Sequence, residues 1–300
     1  MSIDALYHRL YKLPIEQLPR QALPCVEKST RIIALIPIFT DAYYRDTTVD
    51  AFIRSAIYSR WACYEYTDAA AQGIEVKFYI EAKLYPRLKP ILVANHIDVK
   101  KDVEWFAAQS PKAAWGRLTK KMLPYPDARF ASYDWIVTWD ADVFFHRPGP
   151  HNIFKKVHSL TDDGALYYLR IDRFEWQWRE KLAKATCRKP TSKDTFDYIP
   201  LQELFVHLGI RKTDLTGEVA KPLGGMALYP ARHWHKQHQD RIWWMREYIP
   251  YLGDDEVCAM LLAHTFNFDI RCMKKEFNIT LGQEPSNTLI HGKHRPPEIL

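Results

Sequence analysis

The sequence predicts an α/β fold with a mostly parallel sheet flanked by helices, on three observations. Arg31-Ile32-Ile33-Ala34-Leu35-Ile36-Pro37-Ile38 is a short continuous apolar run with a charged start, the pattern of a strand buried on both faces. A helical pattern follows from Thr47 to about Ala71, with Val49, Phe52, Ile53, Ala56 and Ile57 on one face, until Gly73 stops it. Val76-Lys77-Phe78-Tyr79-Ile80 then begins a second strand, and strand–helix–strand succession implies parallel strands joined by crossover helices.

The pattern is less regular after that strand, where Pro86 and Pro90 interrupt it. Lys112 to Met122 reads as helical, with Trp115, Leu118 and Met122 at i, i+3 and i+7. Tyr133-Asp134-Trp135-Ile136-Val137-Thr138-Trp139 is a strand that runs directly into Asp140-Ala141-Asp142. Further strand-like runs are Ala165–Leu169 and Met226–Tyr229, and helical runs are expected at Leu201–Leu208, His235–Tyr248 and Asp255–His264. Pro14, Pro19 and Pro24 punctuate residues 1–30, which read as a peripheral segment. Without internal repeats or a Gly-Ser linker, residues 31–300 read as one domain.

Composition narrows the function classes. With 47% hydrophobic and 26% charged residues the chain can fill a core. No run of eighteen apolar residues is present, and the start Met1-Ser2-Ile3-Asp4 lacks the features of a secretory signal, so a cytoplasmic location is the expectation. Tyr7-His8-Arg9-Leu10-Tyr11-Lys12 is suited either to peripheral membrane contact or to packing on the protein's own surface. Five scattered cysteines without a C-x-x-C pair argue for buried free thiols over a disulfide framework or a thiolate zinc site. The net charge of +6 suits an anionic partner such as a diphosphate or a membrane surface. It is too dispersed for nucleic acid, and no zinc-finger spacing, RNP-like sequence or extended basic helix is present. Ten tryptophans could stack on sugar rings or fill the core.

The chemistry centres on Asp140 and Asp142. Two carboxylates just past a buried strand stand at the carboxyl edge of the sheet, where open α/β folds bind ligands. In the turn that follows they can converge on one hard cation, Mn2+ or Mg2+, which keeps waters or substrate phosphates as its other ligands. Such a cation would neutralise the charge that develops on a departing diphosphate.

With that triplet, residues 31–295 resemble, in the order of their elements, the GT-A glycosyltransferases, whose Rossmann-like nucleotide-binding half ends in Asp-x-Asp. The resemblance implies a nucleotide-binding half at about 31–145 and an acceptor half at about 146–300. The first strand, ending Ile36-Pro37-Ile38-Phe39-Thr40, lies where such enzymes receive the base and ribose, which gives Phe39 and Thr40 to the donor. Trp115-Gly116-Arg117-Leu118 resembles the segment before Asp-x-Asp in glycogenin-like and bacterial galactosyltransferase families, which implies that Arg117 contacts the donor. Pro222-Leu223-Gly224-Gly225-Met226 is similar to the glycine-containing strand whose backbone approaches the donor sugar. Gly253-Asp254-Asp255-Glu256 resembles the acidic element of inverting members, with Asp255 as general base and Asp254, in place of the usual Glu, on an acceptor hydroxyl. Acidic residues opening a helix also serve as cap and dipole partners.

His291-Gly292-Lys293-His294-Arg295-Pro296 resembles, with contracted spacing and no following Trp, the end motif of glycogenin-like enzymes. There the resemblance implies His291 as third metal ligand, with His294 as the alternative, and Arg295 on the diphosphate. The implied reaction moves a monosaccharide from a nucleoside diphosphate sugar, UDP favoured, to a hydroxyl of a glycan or glycoconjugate. The Gly-Gly then Asp-Asp order favours inversion, whereas Arg117 and the His tail favour retention. Arg173–Pro200, with Trp176, Trp178 and Arg179, is the expected acceptor region. A metal-dependent phosphohydrolase or nuclease, and a non-catalytic carbohydrate-binding protein, are the rival readings.

Overall fold

Strand β1 (Ile32–Ile38) is buried at every position, because parallel strands flank it on both sides: β2 (Glu75–Glu81) and β4 (Trp135–Trp139). The computed structural model describes residues 28–29, 31–39, 46–107, 119–145, 152–175, 188–190, 196–198, 218–249, 255–282 and 289–291. Both faces of β1 are covered. Ile32, Ala34 and Ile36 join one core with α1 (Asp46–Tyr66), while Ile33 and Leu35 join a second core on the opposite face. Burial on both faces is why the strand reads as a continuous apolar run rather than an alternating one.

Helix α1 supplies the first crossover and ends at Tyr66, earlier than the expected Ala71. Thr67 accounts for the difference: its hydroxyl donates to the Cys63 carbonyl at 2.5 Å and accepts from Ala69 N at 3.1 Å. Side-chain bonds of this kind give the backbone an alternative to continuing the helix. After β2, a 3₁₀ turn (Ala82–Leu84) leads into α2 (Tyr85–Ala94), where the two prolines had suggested no regular element. Pro86 sits in the first turn, where its missing N–H has no helical partner to lose, and Pro90 forfeits a single bond to the Pro86 carbonyl. Strand β3 (Val103–Phe106), not foreseen from the sequence, pairs parallel with β2 at one edge.

Among the described residues the main sheet has seven strands in the order β10-β6-β9-β4-β1-β2-β3, so the α/β, mostly parallel architecture is the observed one. β9 (Glu218–Tyr229) is antiparallel to both of its neighbours, β4 and β6 (Leu166–Glu175). β10 (Ile270–Cys272) pairs parallel with β6. A smaller sheet joins β5 (Val143–Phe145) to β12 (Leu289–His291), which also pairs with β11 (Leu281–Gly282). β7 (Arg188–Pro190) and β8 (Phe196–Tyr198) pair with each other, within the expected acceptor region.

Among the described residues, the helices of the second half are α3 (Ile153–His158), α4 (Ala231–Gln237), α5 (Gln239–Tyr248), α6 (Asp255–Phe266) and α7 (Met273–Phe277). The single helix expected over His235–Tyr248 is two, because His238 leaves the helical region at φ −134°. The helix expected at Lys112–Met122 falls mostly outside the described residues, and its end, Thr119–Met122, is a 3₁₀ turn. Leu201–Leu208 and Tyr7–Lys12 also lie outside them. Trp135, Trp139 and Trp234 are fully buried, which assigns them to the core. Cys63 and Cys258 are buried free thiols. Among the described residues no helix is long and apolar enough to cross a membrane.

Candidate active site

The chain runs from β1 through β2 to β3 on one side and then returns to place β4 on the other side of β1. Such a reversal opens a crevice beyond the carboxyl ends of the two strands. At this position Pro37, Ile38 and Phe39, which end β1, face Asp140, Ala141 and Asp142, which follow β4. With Phe52 of α1 and Lys121 of the 3₁₀ turn they line a cleft of about 400 Å³. A second cavity of about 280 Å³ shares Pro37, Lys121 and Asp140, and is walled by Gly224 and Gly225 of β9, Tyr125, Thr138, Tyr168 and Asp255. Seven separate stretches of sequence therefore meet at one sheet edge.

The Asp140–Val143 turn is held from several sides. Asp140 N donates to the Gly225 carbonyl at 2.9 Å, and Val143 N donates to the Asp140 carbonyl at 2.9 Å. Below the turn, Trp139 Nε1 donates to Ser59 Oγ at 2.8 Å and that hydroxyl donates to the Val143 carbonyl at 2.5 Å. One buried serine of α1 thus ties the residue before the turn to the residue after it. Asp142 is buried, and the Asp140 side chain is only 14% exposed. Lys121 Nζ lies 2.7 Å from Asp140 Oδ1 and 2.8 Å from Oδ2.

Hard carboxylate oxygens at the mouth of a cleft are the donor type that Mn2+ or Mg2+ requires, and the Lys121 ammonium stands in for such a positive charge. Among the described residues no third His, Cys, Asp or Glu completes a cluster with them. The backbone of His291 pairs with Val143, the neighbour of Asp142, so β12 brings that one residue's backbone to the turn. Thr40, Arg117, Asp254, His294 and Arg295 lie outside the described residues.

On the opposite wall Gly225 has φ +94°, a conformation that L side chains rarely adopt, and its carbonyl is the one that receives Asp140 N. Gly224 N donates to Glu256 Oε1 at 2.7 Å, and a Cβ at Gly224 would stand 3.2 Å from that oxygen. Glu256 therefore fastens the start of α6 to β9, which sets the position of the buried Asp255 beside the glycines. The acidic cluster opening α6 divides its work: Glu256 holds backbone, and Asp255 faces the cavity.

Buried tyrosines floor the second cavity. Tyr125 Oη and Thr138 Oγ1 share a hydrogen bond of 2.5 Å, Tyr168 and Tyr229 share another of 2.5 Å, and Tyr125 stacks on Tyr229. Burial pushes all three phenols well above their ordinary range, and the Asp255 charge adds to the effect at Tyr125 and Tyr168. They remain neutral hydrogen-bonding groups at any physiological pH. His235 holds the Tyr125 carbonyl at 3.1 Å from behind.

Lys121, Ser59 and Glu256 were not singled out in the sequence. Their signal is purely three-dimensional: Lys121 lies 19 and Ser59 80 positions from the residues they hold at Asp140 and Trp139.

No family model and no curated protein matches the sequence. Among solved structures, the apo WbbM bifunctional glycosyltransferase is similar over 89% of this chain at 11% identity and a TM-score of 0.42. The chain spans 46% of WbbM's length. The mannosyltransferase Ktr4p from S. cerevisiae is similar over 87% of this chain and 76% of its own, at 10% identity and a TM-score of 0.42. The 4-diphosphocytidyl-2C-methyl-D-erythritol synthase from Anaerococcus prevotii is similar over 81% of this chain and 89% of its own, at 10% identity and a TM-score of 0.38. With each of these TM-scores below 0.5, the chain's own sheet order and site geometry carry the functional reading.

Proposed function

We propose that this chain is a glycosyltransferase of the GT-A type that moves a monosaccharide from a nucleoside diphosphate sugar, a UDP-sugar by preference, to a hydroxyl of a glycan or glycoconjugate. The observation that carries the reading is the meeting of the Asp140–Asp142 turn with Gly224, Gly225 and Asp255 across adjoining cavities at the carboxyl edge of the sheet. Phe39 at the end of β1, with Thr40 and Arg117, would receive the nucleotide. Asp140 and Asp142 would hold Mn2+ or Mg2+, with His291 as a further ligand, and that ion would supply positive charge against the departing diphosphate. Lys121 and Arg295 would add cationic contacts to the same oxygens. The Gly224–Gly225 backbone would let the donor sugar approach β9 closely.

Asp255 sits at the far wall of the second cavity, where it would take the proton of the attacking acceptor hydroxyl in an inverting transfer, with Asp254 orienting the acceptor. Its placement in that cavity, rather than on a solvated helix end, favours inversion over retention. A thermal-shift screen of UDP- and GDP-sugars with and without Mn2+ tests the donor site, since a true donor raises Tm by mass action. Absence of a shift with every nucleotide tried would overturn the reading. The anomeric configuration of the product then tests Asp255, and a retained anomer would leave it without a role as base.

A further inference from the structure

We propose that the exposed face of α2 is a docking surface for an anionic lipid bilayer. The helix turns an apolar stripe outward, with Lys89 set within it: Tyr85, Pro86, Pro90, Val93 and Ala94 are all exposed, Tyr85 at 38% and Val93 at 52%. At i, i+1, i+5, i+8 and i+9 these positions spread over about half the circumference of a helix about 15 Å long. The opposite side, Leu88 and Leu92, is buried in the core. The two prolines fit this use, because they leave a rigid apolar rail without weakening the buried side.

Charge selects the occupant. Residues 82–101 contain five Lys or Arg and one Asp, in a chain whose whole net charge is +6. Glu81 and Asp50 take Lys83 and Arg87 as ion-pair partners, while Lys89 on the helix and Lys100 and Lys101 in the turn that follows it are exposed. Lys89 Nζ lies 5.1 Å from the Tyr85 ring, so the apolar and cationic features are interleaved. Apolar side chains that enter the headgroup region, aromatic rings at its level and lysines reaching anionic lipid are the elements of an interfacial helix. A soluble acidic protein would match the lysines and leave the proline–valine rail without a counterpart.

The stripe also reaches the catalytic edge. β2 and β3 are parallel to β1, and Tyr85 packs on Trp105 of β3 with ring centroids 4.8 Å apart. That pair stands on the sheet edge from which the Asp140 turn projects. A bilayer lying along α2 would place membrane-borne acceptors beside the cleft, a consequence that rests on the transferase reading; the docking itself does not.

Flotation with vesicles tests the docking independently of any activity. The full chain should float with phosphatidylcholine vesicles containing phosphatidylglycerol, and stay behind with phosphatidylcholine alone or in 0.5 M salt at roughly millimolar lipid, since anionic surface attraction is screened. Each lysine near such a surface contributes roughly fivefold to partitioning. The triple variant Lys89→Glu, Lys100→Glu, Lys101→Glu should therefore lower partitioning by well over tenfold, and Val93→Ser should lower it severalfold. Val93 is chosen over Tyr85 because it makes no ring contact that the fold uses. Lys274→Glu with Lys275→Glu, exposed on α7 at the far side of the sheet, should change partitioning far less. Failure of the wild-type chain to float with anionic vesicles, equal flotation with neutral ones, or equal losses in the α7 variant would each overturn the proposal.

Discussion

Lys121 Nζ covers both oxygens of Asp140, at 2.7 Å and 2.8 Å, and both residues line each of the two cavities. Both side chains are mostly withdrawn from water, 17% and 14% exposed, so their attraction is little screened. An ammonium in that position competes with any divalent cation that Asp140 would bind. Lys121→Met should therefore tighten Mn2+ binding to the nucleotide-free protein by about tenfold, a change of about 1.4 kcal/mol. The same variant should weaken UDP binding, because a charge-assisted contact is lost. Titration calorimetry reads both, and unchanged Mn2+ affinity would refute the competition.

Asp142 and Asp255 are both buried, yet they line different cavities and should fail differently. Asp142→Asn keeps the shape and removes the charge, so metal-dependent donor binding should disappear along with activity. Asp255→Asn should keep the UDP-induced rise in Tm while turnover falls on the order of 10²-fold or more. Full activity in the Asp255 variant would dismiss it as the base.

Ser59 lines neither cavity and still bridges Trp139 to Val143 across the Asp140 turn. Ser59→Ala strands a buried indole N–H and a buried carbonyl, which should destabilise the fold by about 1–3 kcal/mol. Activity should fall further than stability explains, since the turn loses its clamp. Urea unfolding measured beside turnover at a temperature where the variant is folded separates the two effects.

Gly225 combines φ +94° with a carbonyl that receives Asp140 N. Gly225→Ala should cost about 1–2 kcal/mol from the left-handed backbone alone. Gly224→Ala should be milder, because the atom its Cβ would meet is the end of the Glu256 side chain, which can shift. The order of the two unfolding midpoints checks this, and a reversed order would refute it.

His235 gives a pH signature. Burial, helped by the nearby Arg246 charge, pulls its pKa below the ordinary 6.5, although its bond to the Tyr125 carbonyl acts the other way. The unfolded chain takes up its proton first, so stability should decline as pH falls below about 6.5 and level off once the folded imidazole titrates. Burial lowers His158 and His238 in the same direction. His235→Gln should make the fall in unfolding free energy from pH 7 to pH 5 shallower, and an unchanged slope would exclude His235 as a contributor.

What could be read in the sequence follows from where burial is two-sided. β1 and β4 sit in the middle of the sheet and announce themselves as apolar runs, and the Asp140 turn is placed by the second of them. β3 is a four-residue edge strand with two half-buried positions, too short to show a period. α2 hides behind Pro86 and Pro90, whose harm depends on their place in the turn rather than on their presence. The apolar pattern of β9 shows only at Met226–Tyr229, where the strand pairs with β4 as well as β6, and Pro222–Gly225 reads as strand through the resemblance alone. Its earlier half, with Pro222 and Gly224, pairs with β6 alone among the described residues and has less need of an apolar pattern. The Asp and Gly residues of the site carry recognisable types, whereas Lys121, Ser59 and Glu256 matter through geometry that no local pattern encodes.

The position of β9 bears on how the molecule assembles. Strands β1 to β4 form a contiguous parallel group from the first half of the chain, but the outer edge of β4 finds its partner only when residues 226–229 arrive. During synthesis the free edge of a fully buried strand, Trp135–Trp139, must wait through all the intervening residues for a late insertion between β4 and β6. Non-local pairing of this kind slows folding and leaves a sticky ribbon open to wrong partners. The same insertion delivers Gly225 to Asp140, so the strand that joins the two parts of the sheet also sets the two walls of the cleft against each other.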